Sequence, residues 1–122
     1  LGRLARAGLV LLAGYPVLRF ATYRKPAVRR VRWAAADLRD HDYRDGVYLI
    51  RNGDGWRAVS AACSHLGCRV RYDPAAGRFV CPCHRSEYDA QGGRLCGPAR
   101  CDLAELAVTR LENRDLVVEV EV

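Results

Sequence analysis

The chain has 122 residues, half of them apolar, with 20 basic and 14 acidic side chains and a formal net charge of +6. That length leaves room for one modest core, and the apolar content excludes a disordered chain. All fourteen acidic residues and only twelve of the basic ones lie after residue 32, so the body sits near −2 while residues 1–32 carry eight positive charges. The excess belongs to an N-terminal arm, which argues against a nucleic-acid-binding domain and suits phospholipid headgroups better.

Residues 7–18 are uncharged, but a helix needs about twenty apolar residues to cross a bilayer. Arg3, Arg6 and Arg19 flank the run and could snorkel, and Tyr15-Pro16 has the character of an interfacial helix exit. The expectation is part of a membrane anchor over residues 1–21, its start lying upstream of a chain that contains no methionine. A buried helix packed on the domain is the alternative. Residues 22–32 read as a charged, extended hinge stiffened at Pro26, followed by one domain over 33–122.

From Val28 onward the pattern is short strands and turns. Arg29–Trp33 mixes β-formers with charge. Gly46–Arg51 and Trp56–Ser60 flank Asn52-Gly-Asp-Gly, a hairpin signature. Arg69–Tyr72 and Arg78–Cys81 flank Asp73–Gly77, and Val108–Leu111 and Leu116–Val122 flank Glu112–Asp115. Only Asp102–Leu106 has helical character. Many short strands at close spacing predict an all-β barrel or sandwich, with Trp33, Tyr48, Trp56 and Phe79 in the core. His41, among Arg39, Asp40 and Asp42, is expected on the surface.

Six cysteines fall in three pairs, 63/68, 81/83 and 96/101. The first two pairs sit in Cys63-Ser-His65-Leu-Gly-Cys68 and Cys81-Pro-Cys83-His84. Disulfide scaffolds and metal sites both produce such counts, and the interleaved histidines favour a metal. Two Cys and two His make the ligand set of a [2Fe-2S] centre in which His replaces Cys on one iron. The same four side chains would hold tetrahedral zinc in a binding module without redox activity.

The two boxes resemble those of the Rieske proteins, which read C-x-H-x-G-C and C-x-C-H-x-S. The resemblance implies an all-β fold of small antiparallel sheets with a cluster-binding subdomain of two loops, and one [2Fe-2S] cluster per chain. It implies that Cys63 and Cys81 bind one iron, that His65 and His84 bind the other, and that Cys68 and Cys83 form a disulfide. Ser86 and Tyr88 match the residues that hydrogen-bond to a bridging sulfide and a ligand cysteine, and Gly97-Pro98-Ala99 matches a lid over the cluster. Two ferric irons, two sulfides and two thiolates sum to zero charge, so a His-ligated centre accepts an electron more readily than a four-thiolate one. A histidine ligand also links electron uptake to proton uptake.

By the same resemblance the chain is the iron–sulfur subunit of a cytochrome bc-type quinol oxidoreductase. It would take an electron and a proton from quinol, through His84 or His65, at a cytochrome b-type subunit. It would then pass the electron to a c-type cytochrome, with residues 22–32 as tether. The implied location is a bacterial inner membrane, with the domain on the periplasmic side and no nucleic-acid partner. The alternatives are a Rieske small subunit of another oxidoreductase, such as an arsenite oxidase, and a Rieske ferredoxin feeding an oxygenase. That last class usually lacks the Cys68/Cys83 pair. Two positions depart from the pattern: Arg85 stands where glycine is usual, and Arg100 where the lid has its second proline. Cys96 and Cys101 bracket the lid, either as a second disulfide or as two free thiols.

Overall fold

A computed structural model of the chain describes residue 2 and residues 14–121. Most of the expected anchor therefore lies outside the described residues. Residues 14–21 are helical, and among the described residues no helix is long and apolar enough to cross a membrane.

The rest is β-structure, as the alternating runs predict. In chain order the strands are β1 (Val28–Trp33), β2 (Asp42–Arg44), β3 (Val47–Asn52), β4 (Gly55–Ser60), β5 (Arg71–Asp73) and β6 (Arg78–Val80). They continue with β7 (Glu87–Asp89), β8 (Arg94–Cys96), β9 (Glu105–Leu106), β10 (Val108–Arg110) and β11 (Leu116–Glu121), with a 3-10 turn at Ala35–Asp37. They form three antiparallel sheets ordered β1-β11-β10, β2-β3-β4-β9 and β5-β6-β7-β8.

The middle sheet is shared between two cores, and β3 shows why. Its first four residues, Val47-Tyr-Leu-Ile50, are all buried. Side chains alternate across a strand, so a run apolar at every position implies cover on both faces. Val47 and Leu49 pack with Val31, Trp33, Ala58, Leu116 and Val118 against the first sheet. Tyr48 and Ile50 pack with Val59, Val70, Phe79, Tyr88 and Leu103 against the third. That second core also contains Cys63 and Cys81, so the metal-box cysteines are part of the hydrophobic interior.

Several sequence expectations shift. β1 begins at Val28 and pairs along its length with β11, so the last five residues of the expected hinge are strand. Asp102–Leu106 is not helical: it holds the short β9 on the edge of β4, because Leu103 is drawn into the second core. Trp56 is half-buried rather than central, packed at the margin of the first core with the Arg51 guanidinium 4.9 Å from its ring centroid. His41 is partly buried, its ring stacked on Tyr72 with centroids 3.7 Å apart and its Nε2 2.7 Å from the Ala90 carbonyl. The β2–β3 hairpin lies outside the three hairpins expected from the alternating runs, although its turn is an Asp-Gly pair. Asp45 and Gly46 have φ of 48° and 82°, both positive as a type I′ turn requires.

Asp115 fastens the end of β1 to the β10–β11 turn. Its carboxylate accepts the Ala35 N–H at 3.0 Å, Arg32 Nε–H at 2.8 Å and the Asn113 amide at 3.0 Å. The Ala35 N–H and the Arg32 guanidinium hold its pKa below the ordinary carboxylate value. A carboxylate depressed in this way stabilises the fold above its unfolded pKa, near about 3.9. That contribution disappears as pH falls through the lower folded value. Asp115→Asn is expected to lower the urea midpoint at pH 7. It should also flatten the loss of stability on acidification below about pH 4, which urea titrations of both proteins across that range would read.

Candidate metal centre

Two loops leave the ends of core strands and meet at one tip of the molecule. Loop one, residues 63–68, follows β4, its base closed by a bridge between Ala62 and Arg69. Loop two, residues 81–86, joins β6 to β7. The loops share a backbone plan. The Cys63 N–H donates to the Cys68 carbonyl and the Gly67 N–H to the Cys63 carbonyl, both at 2.8 Å. The Cys81 N–H donates to the Ser86 carbonyl at 2.8 Å and the Arg85 N–H to the Cys81 carbonyl at 3.0 Å. In each loop a cysteine opens the turn, and the residue four positions on has positive φ: 77° at Gly67 and 56° at Arg85. Glycine takes that conformation freely, whereas a side chain is strained there. The usual glycine of loop two thus has a conformational reason, and Arg85 occupies the strained position.

A disulfide between Cys68 and Cys83 ties the loops together across 15 residues of chain. The sulfurs of Cys68, Cys81 and Cys83 lie within 4.8 Å of one another. Bridging removes Cys68 and Cys83 from any ligand set, leaving Cys81 and Cys63 as the buried free thiols. The rings of His65 and His84 are 4.9 Å apart, nearly perpendicular; His65 is half-buried and His84 exposed. The four side chains thus divide into two interior thiols and two imidazoles at the tip.

Buried hydroxyls surround the thiols. Tyr88, fully buried on β7, places its hydroxyl 3.1 Å from Cys63 Sγ and accepts the Ser64 N–H at 3.2 Å. Burial and the Cys63 neighbour raise the Tyr88 pKa, so it keeps its proton as a donor. Burial alone would raise the Cys63 pKa, but hydrogen bonds from Tyr88, the His65 backbone, Cys81 and Ser86 outweigh it, and the thiol is more acidic than usual. Ser86, also fully buried, accepts the Ala99 N–H at 3.0 Å, leaving its own proton free for a sulfur acceptor.

The segment Gly97–Ala99 closes over loop two. A Cβ on Gly97 would sit 2.5 Å from the Ser86 Cα and 3.0 Å from the Arg85 carbonyl oxygen, so only glycine permits this approach. Arg94 pins the segment from below, donating to the Gly97 carbonyl at 3.0 Å and to the Ala99 carbonyl. On the far side Ser64 Oγ donates to the Cys101 carbonyl at 2.6 Å. Arg94 and Ser64 were not legible as site residues, because neither belongs to a motif and each acts through a backbone carbonyl distant in sequence. Cys96 and Cys101 are exposed free thiols; the contacts of Arg94, Ser86 and Ser64 already close the loop that a second disulfide would have closed.

The donor set fits a [2Fe-2S] cluster. It offers two acidified or buried thiols, two imidazoles on the solvent side, and hydroxyl protons directed at the sulfur-rich interior. A zinc site would need the four ligands but would have no use for the last of these.

Comparison with known proteins agrees. Residues 25–109 match the family model described as the Rieske [2Fe-2S] domain. The chain is 46% identical over 77 residues to the cytochrome b6-f complex iron-sulfur subunit of Synechococcus sp. (strain WH7803), covering 61% of this chain and 43% of that protein. It is 38% identical over 76 residues to the subunit of the same name from Chlorobaculum tepidum, covering 62% of this chain and 41% of that protein. The chain thus spans less than half the length of these curated relatives. Among solved structures, the cyanobacterial plasma membrane Rieske protein PetC3 from Synechocystis PCC 6803 superposes with a TM-score of 0.53. It is 37% identical, with 61% of this chain and 76% of that chain covered. The quaternary ammonium Rieske monooxygenase CntA superposes with a TM-score of 0.56 at 16% identity, covering 82% of this chain and 34% of that chain, a likeness of fold alone. The paired cysteine–histidine loops, the bridge between them and the family match lead to one assignment: the chain belongs to the Rieske [2Fe-2S] domain family.

Proposed function

We propose that the chain is the electron-transfer module of a cytochrome bc-type quinol oxidoreductase, with Cys63, Cys81, His65 and His84 holding its [2Fe-2S] cluster. The observation that carries this reading is the division of the ligands: the thiols lie in the core and the imidazoles at an exposed tip, the arrangement needed for a partner to approach through histidine. When bound, the cluster supplies a one-electron couple at mild potential.

The chain's own residues set the conditions. Tyr88 and Ser86 direct hydroxyl protons at sulfur and so favour the more negative, reduced state. The Gly97–Ala99 segment and the Cys68–Cys83 disulfide hold both loops fixed and exclude water from the cysteine side. His84, the more exposed imidazole, is the group a quinol hydroxyl would reach first and the site where its proton would be taken up. Quinol as donor, a cytochrome b-type subunit as docking partner and a c-type cytochrome as acceptor are part of this proposal. The curated relatives, named as iron-sulfur subunits of a cytochrome b6-f complex, support a cytochrome complex as the setting. The disulfide favours it over a ferredoxin that serves an oxygenase. The exposed apolar side chains Tyr15, Val17, Leu18, Phe20 and Tyr23, beside Arg19, Arg24 and Lys25, support membrane attachment through the N-terminal segment. Residues 22–27, without regular structure, would form the tether, with the domain on the periplasmic side of a bacterial inner membrane.

A redox titration followed by EPR and visible absorption tests the reading. The expected midpoint lies within about −150 to +300 mV and falls as pH rises through neutrality, because proton uptake accompanies reduction. A low potential independent of pH would shift the assignment to a ferredoxin-like carrier, and a colourless protein would end it. Tyr88→Phe removes one hydrogen bond to Cys63 and should lower the midpoint by about 40–60 mV, the equivalent of one net hydrogen bond of about 1–1.5 kcal/mol. Gly97→Ala should release the lid and speed the bleaching of cluster absorbance during incubation with a chelator, while circular dichroism of the strands stays unchanged.

A further inference from the structure

Arg85 occupies the position in loop two where glycine would be free of strain, and among the described residues its side chain has no partner that explains its presence. At φ 56° it sits in the left-handed region, whereas its counterpart in loop one is Gly67. Among the described residues its guanidinium has no hydrogen bond or ion pair, and it is exposed directly beside the exposed His84. Arg100 on the lid is likewise exposed and unpaired among the described residues. The other nearby arginines are engaged: Arg94 with the lid carbonyls, and Arg69 over the Tyr43 ring at 5.6 Å.

No acidic residue occurs in residues 63–68, 81–86 or 96–101, the three segments that meet at the tip. Of the acidic residues that flank these segments, Glu87, next to loop two, is paired with Arg78 at 2.8 Å, and Asp102, which follows the lid, accepts the Arg94 backbone N–H at 2.8 Å. The tip is therefore cationic on a body whose charges otherwise nearly cancel, with Leu66, 71% exposed, as its apolar point. Net positive potential confined to one docking point steers association with anionic surfaces and falls away with salt.

The geometry points to Arg85, with Arg100, as a specificity determinant: a cationic rim around the tip histidines that selects a redox protein whose docking face carries carboxylates. This rests on the electron-transfer reading above and adds the charge of the partner. Arg85 acts by steering the encounter; it is not a ligand and takes no part in the redox step itself.

The test uses the cluster-loaded full chain, reduced, and its oxidation by two probes of opposite charge, trianionic ferricyanide and tricationic tris(phenanthroline)cobalt(III). At low ionic strength Arg85→Gln and Arg100→Gln should each slow oxidation by ferricyanide by about three- to tenfold and speed oxidation by the cobalt complex. The differences should collapse above about 0.5 M salt, where screening is complete within a few ångströms. Arg110→Gln on β10, in another sheet, should match wild type with both probes. Arg85→Gly should lose the same rate advantage while unfolding at a denaturant concentration no lower than wild type, since it relieves the left-handed strain. A merely structural role for Arg85 would instead lower stability and leave the probe-charge ratio intact. Equal rates for wild type, Arg85→Gln and Arg100→Gln with both probes at every ionic strength would overturn the rim and leave the electron-transfer reading standing. Failure of the loaded wild type to react with either probe would overturn both.

Discussion

The Tyr88 hydroxyl is the contact on which the site depends. Its ring is core, fully buried between the middle and third sheets. Its oxygen meets Cys63 Sγ inside the same core, and the Ser64 N–H and Ser64 Oγ at the core's edge, the last at 3.1 Å. A residue on β7, directly after loop two, thereby fixes the start of loop one. Burying a phenol in an apolar interior is unfavourable unless its oxygen is satisfied, so the same requirement that stabilises the core brings the two loops to one place. The disulfide makes the second tie between them, at their solvent side.

That coupling accounts for the division of labour within the centre. Cys63 and Cys81, as part of a hydrophobic core, are shielded from water, and the Tyr88 hydroxyl lies 3.1 Å from Cys63 Sγ, where it can donate to the sulfur. The histidines extend beyond the core and stay accessible. The proposed one-electron carrier would need both conditions: a cluster protected on the side that must not react, and a conducting contact on the side that must. The lid serves the first condition mainly through its backbone, with the Gly97 carbonyl taken by Arg94 and the Ala99 N–H by Ser86. Ala99 is itself buried in the second core, and Ser64 takes the Cys101 carbonyl just beyond the lid.

The two loops are variations on one turn. Each opens at a buried cysteine, closes with the same pair of backbone hydrogen bonds and passes through a left-handed residue at its fourth step. They differ in where the histidine sits, two residues after the cysteine in loop one and three in loop two, and in what fills the left-handed position. Gly67 meets that demand without strain. Arg85 meets it against its own preference, and a strained residue with a free charge at the tip is best explained by what the charge does outside the chain.

The sequence by itself determined the chemistry and the class of fold. Cys and His at those spacings restrict the metal, and short alternating runs separated by Gly, Asn and Asp restrict the architecture, because ligand type and strand period are local properties. It also exposed Arg85 and Arg100 as departures, though not their consequence. Only the tertiary structure decided which cysteines are interior and that β3 serves two cores. It alone showed that Asp102–Leu106 is edge strand rather than helix, and that Arg94 and Ser64 hold the lid. These depend on contacts between residues far apart in the chain: Leu103 abandons a helical preference because a core side chain gains more from burial than a short helix gains from its turn. Arg94 and Ser64 act on carbonyls, groups that every residue carries and that no motif can mark.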